Sequence, residues 1–432
     1  MNRITQNINN IPVYLYKTEK FKTINIRLVF KNHYTKENTT KYSLLTSILS
    51  NTSKKYNTKK RVSNALDNLY SANIVFSTYP IHKTRITTVN LTIVNDKYVN
   101  DNLIGQGIDL IKEFLLNPNQ ENGIFNQKVY DEEKTLLEEG LKRVFNNKNK
   151  YAFRQMIQHM CADEIVNVNS NGDLEELAKI TINDIYETYL DLLNNSEKEV
   201  YIIGDIEFDD VVTDLNNKIL RKLKQCQLNL DSNLLENKEV KEVKNIVENA
   251  ETNQAQLMLG YRTNIGPLDS DFFALKLFVA MFGGVYSSNL NRVIREEHSF
   301  TYSIYANILG RAKIMYINAG LDAKNCDETI KLIECELNKY RNGEIDADLL
   351  HSTKAEMLDA LESFDDSAGG ILNTFIDVNT IFRGIKEYKT SKEYCESIRK
   401  YIEDVSMNDI QNVANKIKLD TIYRLQALDN EG

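Results

Sequence analysis

Residues able to hold a metal or to act as a base are sparse in this sequence. Its five histidines, His33, His82, His159, His298 and His351, all lie far apart along the chain. Its five cysteines, Cys161, Cys226, Cys326, Cys335 and Cys395, form no Cys-x-x-Cys pair. That argues against a thiolate zinc site and a disulfide framework, and it fits a reducing cytosol. The stretch KYSLLTSILSNTSKKY (41–56) has a helical pattern and carries hydroxyls at Ser43, Thr46 and Ser47. Positions 43 and 47 are one helical turn apart and share a face. Hydroxyls near neutral pH are poor zinc ligands, and a threonine cannot serve as a carboxylate base. No Asp, Glu or His occurs between Asn38 and Leu66 to replace them. In YDEEKTLLEEGL, Glu132 and Glu139 are seven residues apart and share a helical face. They could hold a hard cation loosely, or they could form a charged stripe facing solvent.

A second cluster lies in GGVYSSNLNRVIREEHSFTYSIYA, residues 283–306. Gly283 and Gly284 permit a tight break after an apolar helix. Ser287 or Ser288 can then cap the next helix by satisfying its free amides. Arg295 falls two turns into that helix, and Tyr302 falls at the start of the following strand. Taken alone, Arg295 is better suited to pairing with neighbouring glutamates on a solvated face.

The elements that must position these residues occur twice in the same order. The first half offers a strand (24–32), an apolar helix (41–51), a helix plus strand (62–80) and a longer strand (84–95). An amphipathic helix (102–117) and a long charged helix (130–145) follow, and the half closes with a helix (182–193) and a strand (199–205). The second half repeats this as a strand (255–263), an apolar helix (272–284), a helix plus strand (287–308) and a strand (312–321). Its amphipathic helix is 327–340, its charged helix 349–364, and it closes with 407–418 and 420–428. Residues 228–254 mix Lys and Glu with few apolar anchors and are expected to form a surface linker. The expected domains are therefore 1–227 and 255–432. Mixed strands and paired helices predict an α+β sandwich in each half, a mainly antiparallel sheet covered by helices.

Composition narrows the functional class. A chain of 432 residues suits two to four domains. With 42% hydrophobic and 26% charged residues it is globular in type, neither disordered nor membrane-embedded. Its 4 prolines and 17 glycines leave room for long helices. The formal net charge is -8, and the densest basic stretch, KKYNTKKR (54–61), has no broad positive face around it. No nucleic-acid partner is expected. Phe272–Phe282 is too short to span a bilayer and contains Lys276, and the N-terminus shows no apolar signal region, so a cytoplasmic protein without membrane contact is expected.

The 283–306 segment resembles the signature of the insulinase, pitrilysin and mitochondrial processing peptidase family. Gly283, Gly284, Ser287, Ser288, Leu290, Arg295, Glu296 and Tyr302 all match it. The duplicated halves and the linker are similar to that family over essentially the whole chain. The resemblance implies two halves closing as a clam-shell, with Arg295 and Tyr302 reaching the substrate backbone near the scissile bond. A guanidinium suits that task because it is always charged and donates along a fixed fork. Active members carry His-x-x-Glu-His on the first helix, where two imidazoles grip zinc and the Glu acts as general base. Here Ser43 and Ser47 fall at the histidine positions, Thr46 at the base and Glu139 at the third ligand. The resemblance therefore implies an inactive bacterial paralogue without zinc of its own. Its expected partner is a zinc-bearing homologous subunit, and its expected ligand a peptide. A structural or peptide-binding homodimer is the alternative.

Overall fold

The computed structural model describes residues 2–229 and 235–427. The chain divides into two compact units, and neither is continuous in sequence. One comprises Met1–Lys142, Val168–Leu234 and Phe364–Tyr394; the other comprises Arg143–Asn167, Leu235–Ser363 and Cys395–Gly432.

In the first unit, β1 (Asn2–Ile8) and β2 (Ile11–Lys17) form a hairpin with Ile8 opposite Ile11. Its two-residue turn, Asn9–Asn10, has φ of 52° and 64°, the left-handed values that a tight hairpin needs and that asparagine tolerates. The strands β3 (Thr23–His33), β4 (Asn73–Ile81) and β5 (Thr84–Val94) follow. The short pair β6 (Gln120–Glu121) and β7 (Ile124–Phe125) stands apart, and β8 (Glu197–Gly204) completes the sheet. The order is β1-β2-β8-β3-β5-β4, antiparallel except for β2 beside β8. One face buries Ile26, Leu28, Val200 and Ile202 against the helices Lys36–Asn51, Leu103–Leu116 and Ile182–Asn195. The other face presents Tyr16, Val29, Ile86, Tyr201 and Ile203, and the helix Ala368–Ile381 covers it with Ile371, Leu372, Phe375 and Ile376.

The second unit repeats this plan. Its strands are β9 (Lys244–Asn249), β10 (Ala255–Arg262), β11 (Thr301–Leu309), β12 (Ile314–Leu321) and β13 (Lys418–Gln426). Read from the other edge, the order β9-β13-β10-β12-β11 reproduces β2-β8-β3-β5-β4, down to one parallel pair at the same place, β9 beside β13. The duplication inferred from the sequence thus extends to strand order and direction. The stretch expected to be a linker carries β9, the counterpart of β2; residues 230–234 of that stretch lie outside the described residues.

Two helices are traded between the sequence halves. The helix Lys148–Met160 follows the first half's charged helix but packs Ala152, Met156 and Met160 beneath β10 and β13 of the second sheet. Gly260 makes this possible, because a Cβ there would stand 2.7 Å from the Met160 sulfur. Its counterpart, Ala368–Ile381, comes from the second half and serves the first sheet. The α+β class is as expected, and no helix among the described residues is long and apolar enough to cross a membrane.

Candidate functional site

The helix Lys36–Asn51 begins five residues before the stretch read from the sequence. Thr35 caps it, accepting from Asn38 N at 3.3 Å, while the Asn38 side chain accepts from Thr35 N at 3.3 Å. Tyr42, Leu44, Leu45, Ile48 and Leu49 bury its apolar face. The hydroxyls at the degenerate positions are turned back on the main chain. Thr46 Oγ1 and Ser47 Oγ donate to the Ser43 carbonyl at 3.0 and 3.2 Å, and Ser43 Oγ donates to Ser170 O at 3.4 Å. The segment carrying Ser170 is itself tied to this helix: Asp173 N donates to Thr40 Oγ1 at 3.0 Å, and Tyr34 OH donates to Val168 O at 3.0 Å.

The helix Gln127–Lys142 packs against Lys36–Asn51. Glu132 and Glu139 are exposed on it, whereas Glu133 is buried and pairs with Lys59 Nζ at 2.8 Å. Glu133 was not singled out from the sequence. The signal was the stripe Val129, Tyr130, Glu133, Leu137 and Leu141, which places that glutamate inward at helical spacing. Among the described residues no three His, Cys, Asp or Glu side chains cluster closely enough to hold a metal ion. Zinc is what the first helix holds in the active relatives implied by the sequence. Three alcohols committed to carbonyls and an exposed carboxylate do not fit it.

The second cluster belongs to the other unit. The helix Phe272–Val279 continues through a wider turn, residues 280–284. A Cβ on Gly283 would stand 2.9 Å from the Ala306 amide nitrogen, so this glycine lets the turn lie flush on β11. The chain reverses, and a second wide turn, Asn291–Glu297, leads into β11. Capping differs from expectation here. The Ser288 carbonyl accepts from Arg292 N at 3.0 Å, but its buried hydroxyl accepts from the Asn291 side-chain amide at 3.3 Å, so it caps no free backbone amide; Ser287 is exposed.

Arg295 is exposed, and its guanidinium lies over the Tyr286 ring, 5.8 Å from the centroid. Such a contact contributes about 0.5–1 kcal/mol at an exposed site and biases the head toward the ring. Among the described residues Arg295 makes no ion pair; the neighbouring Arg292 takes Glu297 at 2.6 Å. Tyr302 is 79% exposed and Tyr286 74%. Tyr302 is the extra residue of a β-bulge, since Thr301 pairs with Leu321 and Ser303 with Gly320. Thr301 Oγ1 fixes the bulge, accepting from Ser303 N at 3.1 Å while lying 2.7 Å from the carbonyls of Ser303 and Gly320. Bulges of this kind re-aim a side chain. Tyr286 was not singled out from the sequence, although an aromatic beside the Gly-Gly break was a visible signal.

Residues 179–357 match the family described as peptidase M16 inactive domain. Fold and site together make this chain similar to peptidase-like proteins of the inactive M16 type. It is similar over its whole length to the probable inactive metalloprotease YmfF of Bacillus subtilis (strain 168), at 26% identity over 433 residues and 99% of each chain. In structure it is similar to a conserved protein from Enterococcus faecalis V583, with a TM-score of 0.89, 24% identity and full coverage of both chains. The peptidase M16 inactive domain from Pseudomonas fluorescens superposes with a TM-score of 0.76 at 14% identity over 99% of each chain.

Proposed function

We propose that this chain is the non-catalytic subunit of a two-chain zinc metallopeptidase, lending Arg295 and Tyr302 to a peptide-processing chamber whose metal site is on a homologous partner. One observation carries this reading. The residues that would touch a peptide are exposed and spent on little else, whereas the residues that would touch a metal are alcohols already committed to backbone carbonyls. The partner's zinc would supply an activated water. This chain's part is to hold the substrate backbone and place a fixed positive charge and a phenol near its carbonyl. Among the described residues no two cysteines form a disulfide, which suits a reducing cytoplasm.

The test is peptide cleavage by the mixed complex of this chain with a zinc-bearing homologue from the same genome. Removing a donor that acts on a developing oxyanion typically lowers kcat by about 10²–10³, and Arg295→Ala is expected to act in that range. Tyr302→Phe should have a smaller effect. Unchanged cleavage by Arg295→Ala would end the assignment. A chain that forms only homodimers in size-exclusion with every such homologue would favour a structural or peptide-binding homodimer instead.

A further inference from the structure

An opening in the first unit lies on the far side of its sheet from the Lys36–Asn51 helix, and no role above accounts for it. Its volume is about 880 Å³, ample for a small organic ligand. Tyr14, Glu197, Glu199, Asn379, Phe382 and Arg383 line it. Glu197 and Glu199 alternate along β8 and so share this face, and they are only 3% and 5% exposed.

A carboxylate this buried needs compensation, and the two receive it in different ways. Glu199 is satisfied from within: Lys31 Nζ donates to it at 2.8 Å and Tyr201 OH at 2.7 Å, and both donors are fully buried. Glu197 receives Leu228 N at 3.1 Å, but its counter-ion is Arg383. That side chain is 40% exposed and starts on the rim, in the turn after the Ala368–Ile381 helix and beside Gly384, whose φ is +70°. The positive head over Glu197 therefore enters from the solvent side, as a ligand would. Phe382 supplies an aromatic face that suits a cation, and Asn379 adds an amide; the Tyr14 ring already lies under the Arg3 guanidinium, 5.3 Å from its centroid.

We propose that this cavity binds a guanidinium or primary ammonium group on Glu197, in the place now held by the head of Arg383. The arginine is then a built-in competitor that keeps the carboxylate neutralised until a cationic ligand displaces it. This inference is independent of the peptidase reading.

Agmatine, which carries both cationic groups, is the probe. Arg383→Met keeps the aliphatic stem and removes the head. The full-length variant should unfold at a lower temperature than wild type, and agmatine should restore the lost stability saturably. Tetramethylammonium chloride at equal ionic strength should not. The double variant Glu197→Gln/Arg383→Met should gain nothing from agmatine. Absence of rescue, or equal rescue in the double variant, overturns the proposal. If Arg383→Met does not accumulate folded, calorimetry on Arg383→Lys decides. Its different head should yield the site to agmatine about tenfold more readily than wild type, and equal affinity would refute the site. An arginine-containing, end-blocked tripeptide run beside agmatine separates a free amine from a peptide side chain as the natural source.

Discussion

Lys198, the neighbour of Glu197 and Glu199 on β8, faces the opposite side of the sheet. It is a buried charge that donates to two carbonyls, Ser196 O at 2.8 Å and Lys224 O at 2.6 Å. Burial pulls its pKa down from 10.5 to about 8. A lowered lysine pKa means that between pH 8 and 10.5 the unfolded chain holds a proton that the folded chain has released. Stability contributed by this site therefore rises with pH across that window, and the burial cost is fully present below it. Replacing it as Lys198→Met removes this slope. In urea titrations from pH 7 upward, the wild type should gain on the variant by on the order of 3 kcal/mol by the top of the window. A constant difference would show that Lys198 is not titrating as a buried amine. The residues at Ser43, Thr46 and Ser47 were legible in the sequence because a missing imidazole needs no geometry to be noticed. The burial of Glu197 was not, because it depends on which helix or loop closes over β8, whereas that of Glu133 was written in the apolar stripe of its own helix.

At the scale of elements, the bulge at Tyr302 rests on one hydroxyl. Thr301→Val keeps the β-branched shape that suits a strand and deletes the groups that hold Ser303 N and the Gly320 carbonyl. Leaving a buried partner such as the Gly320 carbonyl unsatisfied costs about 1–3 kcal/mol. Chemical denaturation should show that loss, and cleavage by the mixed complex should fall with it, because Tyr302 is no longer held outward. A stability loss without any change in cleavage would separate the bulge from the proposed substrate contact. The order of most strands and helices was readable from periodicity, since apolar spacing differs between the two. The wide turns at 280–284 and 291–297 were not, because they use helical residue types and differ only in how the backbone is wound. The strand β9 escaped notice because Ile246 and Val247 are its only strong apolar residues among lysine, asparagine and glutamate.

At the scale of the whole molecule, the two sequence halves are not the two folding units, and this leads to the most demanding prediction. A fragment of residues 1–227 contains every strand of the first sheet, but it lacks the Ala368–Ile381 helix. Without that helix, Tyr16, Val29, Ile86, Tyr201 and Ile203 lose the cover given by Ile371, Leu372, Phe375 and Ile376. Phe375 alone stacks on Tyr16 at 4.6 Å between ring centroids. Burying four such side chains contributes roughly 1.5–3 kcal/mol each, a sum comparable to the whole stability of a typical domain, about 5–15 kcal/mol. The fragment should therefore bind a hydrophobic dye and melt without a cooperative transition. Co-expression with residues 364–394 should restore a sharp melt, and Phe375→Ala in that segment should weaken the rescue. Residues 1–227 melting cooperatively alone would mean that the exchanged helix is an accessory to a core already sufficient. A helix supplied from 140 residues further along the chain would then be there for some purpose other than stability.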